Sequence, residues 1–164
     1  MLRTIEHTAF VRRNFADVAW LLERHGDEIL AHVAGAAVAR SAEIQEAADD
    51  AVLGFDRGHP ISLNAGPLDV GPQHAVLEFT WEGNAAKRLL VNTAIRLDIR
   101  PLVRRGPGAT TEICLRATYQ PPTAHRRSPE TVLFGRRVVK AALRELLDVL
   151  VRLLEEYEES PLSR

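Results

Sequence analysis

The residues able to do chemistry in this 164-residue chain are few and scattered. His7, His25, His32, His59, His74 and His125 stand apart with no carboxylate at ligand spacing. A metal centre needs ligands that converge, so no metal site is expected. His25 and His32 are seven apart, which would align two turns of one helix, but Gly26 interrupts it. Cys114 is the only cysteine. It excludes an internal disulfide, and on a strand it reads as a small buried hydrophobe rather than a nucleophile. Gly106-Pro107-Gly108 lacks the rest of a phosphate loop and reads as a turn, and no Gly-x-Ser-x-Gly elbow is present. One cluster has more promise: Arg96, Asp98 and Arg100 alternate along one segment and Arg116 lies on the next. Facing a pocket, an arginine there would clamp a carboxylate or phosphate and Asp98 would act as a base. Facing outward, they would pair across strands, and this is the expected arrangement. No catalytic residue is assigned, and no cofactor is expected.

Charge sharpens the picture without naming a partner. The formal net charge is −1, which argues against a dedicated nucleic-acid binder. Acids dominate residues 41–82, where Arg57 is the only cation, and arginines dominate 96–144. Such asymmetry either marks a docking surface or is compensated by neighbouring regions in the fold. The run Arg126-Arg127, Arg136-Arg137, Lys140 has no interleaved aromatics for base stacking and reads as a solvated helix start. Hydrophobic residues at 46% and charged residues at 26% are ordinary globular values. The first residues show no basic region followed by an apolar run, and no stretch reaches about 18 apolar residues, so neither a leader nor a membrane span is expected. With its single cysteine the protein reads as cytoplasmic.

The elements that must position these residues follow from periodicity. Residues 4–11 carry Thr, Ile, Phe and Val and predict an opening strand. Asn14 is a good N-cap for a helix with Phe15, Val18, Ala19, Leu21 and Leu22 at helical spacing through His25, with Gly26 as its left-handed cap. A second short helix is predicted from Asp27, burying Ile29, Leu30, Val33 and Ala34. Residues 36–54 stay open between helix and a strand through 37–40. From His59 onward the period is two. Ile61, Leu63 and Ala65, then Leu77, Phe79 and Trp81, then Ile95, Leu97 and Ile99, then Ile113, Leu115, Ala117 and Tyr119 alternate with polar residues, as half-buried antiparallel strands require. Gly66-Pro67, Gly71-Pro72 and Gly106-Pro107-Gly108 supply the turns.

The chain closes on a long helix. Ser128 is its N-cap, Pro129 suits the first helical position, and Glu130 meets the positive end of the dipole. Val139, Leu143, Leu146, Leu147, Leu150, Leu153, Leu154 and Tyr157 form its stripe to about Glu158. Glu155, Glu156, Glu158 and Glu159 oppose the dipole there, which predicts fraying. One domain is expected over 1–159, with a loose tail at 160–164.

The order strand, two short helices, antiparallel strands, long C-terminal helix resembles the helix-grip fold of the START-like or SRPBCC superfamily. Leu77-Glu78-Phe79-Thr80-Trp81-Glu82, Leu97-Asp98-Ile99-Arg100-Pro101-Leu102 and Ala117-Thr118-Tyr119-Gln120-Pro121-Pro122 are similar to strand ends of uncharacterised actinobacterial members. The resemblance implies an α+β fold whose curved antiparallel sheet wraps the C-terminal helix and leaves a hydrophobic cavity between them. By alternation the ligand-binding candidates are Leu77, Phe79, Trp81, Leu97, Ile113, Leu115, Ala117 and Tyr119, faced from the helix by Phe134, Val138 and Ala142. The lining suits an apolar or aromatic ligand, with Trp81 and Tyr119 each offering a polar tip. The resemblance therefore implies the binding or carrying of a small lipid- or polyketide-like molecule. A polyketide cyclase or dehydratase is one alternative, and an interaction module acting as a homodimer is another.

Overall fold

In the computed structural model of the chain, residues 2–47, 62–82, 93–102, 108–120 and 129–157 are described. Strand β1 (Arg3–Val11) leads through a short bend into helix α1 (Phe15–Ala47). Asn14 caps this helix: its side-chain oxygen accepts the Asp17 amide at 2.8 Å, and its Nδ2 donates to the Asp17 carboxylate at 2.7 Å. The pair satisfies a free amide of the first turn and sets a negative charge at the positive end of the dipole.

Beyond the cap, α1 departs from expectation. It is one helix of 33 residues, running straight through Gly26 and Gly35, where two short helices were predicted. Gly26 is not a left-handed cap, since Gly108 is the only described glycine with positive φ. The buried stripe explains the continuity. Leu22 and Ile29, and Leu30 and Ala37, are each seven residues apart, so the apolar face stays in phase across Gly26. Burial of that stripe outweighs the helix cost of a glycine, about 1 kcal/mol. Residues 36–47 are helical too, which removes the strand through 37–40. Residues 48–54 of that open stretch lie outside the described ones.

Five further strands make an antiparallel sheet with β1: β2 (Ser62–Ala65), β3 (Asp69–Val70), β4 (Ala75–Glu82), β5 (Thr93–Leu102) and β6 (Thr110–Tyr119). The order is β1-β6-β5-β4-β2, with β3 also paired to β4. Ala65 lies opposite Phe79 and Asp69 opposite Val76, so three residues of the edge face two of β4. This is a bulge at Gly66-Pro67, a position that tolerates proline's missing donor. The Gly66 amide donates to the Glu78 carbonyl at 2.8 Å. A Cβ on Gly66 would lie 3.3 Å from that same oxygen, so the close approach favours glycine.

Helix α2 (Pro129–Glu156) begins at Pro129, as predicted, while Ser128 lies outside the described residues. It packs on α1 and along β1, and α1 also touches β2, β5 and β6. Both helices thus cover one face of the sheet, and the arrangement is a helix grip. The acidic end of α2 is held rather than frayed as far as Tyr157. Glu155 accepts the Arg12 amide at 2.8 Å and the Arg12 guanidinium at 3.2 and 3.3 Å. These bonds hold the Glu155 carboxyl below its ordinary pKa. Arg13 donates to the carbonyls of Glu155 and Tyr157, supplying the cations that the last turn of α2 lacks.

Candidate functional site

Alternation divides the sheet into two chemically opposite faces, and the register decides what each can do. On the outer face Glu6, Arg116, Arg96 and Glu78 form one row across β1, β6, β5 and β4. Arg116 donates to Glu6 at 2.6 Å and Arg96 to Glu78 at 3.0 Å. Arg96 also grips Asp98 through Nε and Nη2 at 3.1–3.2 Å, His74 lies 3.1 Å from the same carboxylate, and Arg100 donates to Glu112 at 2.6 Å. Partial burial works against ionisation of Asp98, but the bonds from Arg96 and His74 prevail and hold its pKa below the ordinary value. A carboxylate so stabilised is a weak base. The arginine–aspartate cluster is therefore a solvated cross-strand ladder, as expected for the outward arrangement.

The inner face gathers the predicted binding set. Leu77, Phe79 and Trp81 of β4, Leu97 of β5, and Ile113, Leu115, Ala117 and Tyr119 of β6 are all at most 4% exposed. Val138 and Ala142 of α2 are buried in the same core. Phe134 lies on α2, but its side chain is outside the described ones. Ile95 and Ile99 join them through the same alternation. These side chains are buried together where the sheet meets α2.

Among the described residues, open space lies between α1 and the β2 edge. A cavity of about 630 Å³ is lined there by Asp27, Ala31, Ala34, Gly35 and Val38 of α1 and by Leu63, Asn64 and Ala65 of β2. Ala31, Ala34, Gly35 and Val38 recur at helical spacing, so the face that α1 turns to β2 carries short side chains. None of the predicted binding set is among these lining residues. The two regions adjoin through register: Leu63 pairs with Trp81, and Ala65 with Phe79.

Beyond the polar tip of Trp81 expected from the sequence, the interior holds polar groups that alternation alone did not single out. Trp81 Nε1, Thr93 Oγ1 and His7 Nε2 are buried and have no hydrogen-bond partner among the described residues. Trp81 and Thr93 are cross-strand partners in β4 and β5, and both are fully buried. His7 sits further along the inner face, paired with Leu115. Burial, then the positive charge of Lys140, lowers its pKa from the ordinary 6.5. Buried polar atoms are paired in the great majority of folded proteins, so such orphans ask for a partner. Period-two counting places these residues inward, but whether an inward polar atom is satisfied depends on the packed structure.

No family model matches the chain, and no curated protein matches it. Solved structures with a similar course of the chain include the Zhui aromatase/cyclase from Streptomyces sp. R1128, at 15% identity and TM-score 0.43, covering 98% of both chains. Ara h 8.0201 overlaps at 11% identity and TM-score 0.49, over 94% of this chain and 98% of that one. The Mll3558 protein from Rhizobium loti overlaps at 12% identity and TM-score 0.42, over 91% and 97%. Likeness at this level bears on neither ligand nor chemistry, and the helix grip described above stands on the chain's own topology.

Proposed function

We propose that the protein binds and carries a small hydrophobic molecule, lipid- or polyketide-like, in the space between α1 and the β2 edge. The cavity of about 630 Å³ carries this reading. Its size falls within the roughly 300–1,000 Å³ typical of small-molecule sites, and its wall is mostly aliphatic with a few polar groups, as such sites are. In this reading Trp81 and Phe79 lie directly behind the cavity wall, as the cross-strand neighbours of Leu63 and Ala65. A carrier needs no catalytic group, which agrees with the outward, ion-paired position of Asp98.

Native mass spectrometry of gently purified protein, set against its denatured mass, tests the reading. A reproducible extra mass that delipidation removes is the expected result. Delipidated protein that shows neither bound mass nor a thermal shift across a broad lipid and aromatic panel would overturn it.

A further inference from the structure

We propose that Trp81 and Thr93 form the polar end of this site and read an acceptor oxygen, a carbonyl or phenol oxygen, on an otherwise apolar ligand. The inference rests on the carrier reading above. Both side chains are fully buried, and Trp81 Nε1 and Thr93 Oγ1 are left without partners among the described residues. They are opposed across β4 and β5, so their side chains rise from one face with Cβ atoms about 5 Å apart. On the other side Trp81 is opposed by Leu63, which lines the cavity. The row Leu63, Trp81, Thr93 therefore runs from the cavity wall into the core.

The chemistry of the pair selects the ligand. An indole N–H only donates, and a threonine hydroxyl turns to donate or accept. Two donors side by side suit one oxygen with two lone pairs, whereas a ligand N–H would meet the indole N–H head on. Apart from His7 and Thr111, the rest of the inner face is aliphatic or aromatic, so most of the ligand is apolar. A buried donor without a partner costs the free protein what a lost hydrogen bond costs. Such a pair is explained where a ligand supplies the missing acceptor.

Titration calorimetry with the matched probes 1-tetralone and tetralin, which differ by one carbonyl oxygen, tests this. The protein is expected to bind the ketone roughly tenfold more tightly, the worth of a buried hydrogen bond that would otherwise go unmade. Thr93→Val and Trp81→Phe should each shrink that ratio several-fold. Thr93→Val keeps the shape of the side chain and removes the orphan, so the ligand-free variant should melt no lower than the parent. Equal binding of the two probes overturns the inference and leaves the carrier reading intact. Binding of neither removes the carrier reading, and the inference with it. A clear loss of ligand-free stability in Thr93→Val means the hydroxyl already has a partner, and this too overturns the inference.

Discussion

His7 shows how much depends on which face of a strand a residue occupies. Its partners in sequence are ordinary, yet its ring lies on the buried side of β1, opposite Leu115 and under α2. Burial and the charges of Lys140 and Arg144 disfavour its protonation, while Asp148 and a backbone bond to Lys140 favour it; the first group prevails and the pKa falls. The sign of the linkage follows. The unfolded chain takes up the proton near pH 6.5 and the folded chain only at lower pH, so stability is complete above 6.5 and declines as pH falls below it. Replacing the ring by an untitratable apolar side chain, His7→Leu, should flatten the fall in unfolding free energy between pH 6.5 and 5, measured by urea titration at each pH. An unchanged slope would assign the acid sensitivity to other groups.

At the scale of elements, α1 decides both the fold and the cavity. Its continuity was hidden because a glycine's helix penalty is local and the burial that overrides it is tertiary, visible only as the seven-residue phase from Leu22 to Ile29. A Cβ at Gly26 would meet nothing within 4 Å. Gly26→Ala should therefore stabilise the protein by about 0.5–1 kcal/mol, through helix propensity and a less flexible unfolded chain. A decrease in melting temperature would show that the helix does not run unbroken through this position. The cavity makes a complementary demand. Ala31 is exposed and lines it, so Ala31→Trp should fill the space without disturbing the core. The expected outcome is loss of ligand binding in the mass-spectrometric assay with the melting temperature nearly unchanged. Retained binding would move the ligand to another part of the molecule.

Over the whole molecule, the parts legible in the sequence were those governed by periodicity. Alternation at Leu77, Phe79 and Trp81, and at Ile113, Leu115 and Ala117, placed the inner face correctly, and the stripe from Val139 to Leu154 placed α2 against it. The charged ladder followed from the same alternation read on its other phase. Periodicity says which way a side chain points but not how completely the space beside it is filled, so the inward set was legible in the sequence and the space around it was not. Ala31, Ala34 and Gly35 of α1 read as ordinary helix and Val38 stood in the stretch left open between helix and strand, so their effect is felt only opposite β2. The held acidic end of α2 is likewise a tertiary feature, made by Arg12 and Arg13 from the other end of the chain.

That same closure bears on the single domain expected from the sequence. β1 and α2 lie far apart in sequence yet pack together, and α1 touches both α2 and the sheet. The buried residues of all three belong to one core, so no element keeps its apolar surface covered once another leaves. Unfolding should then be all-or-none. Helix content by far-ultraviolet circular dichroism and the environment of buried Trp81 by fluorescence, with Trp20 replaced by Phe, should trace the same urea transition. Leu146→Ala, at a fully buried position of α2, should shift both curves together by about 2–5 kcal/mol. Separate midpoints for helix and tryptophan would divide the helical layer from the sheet and refute the single cooperative unit.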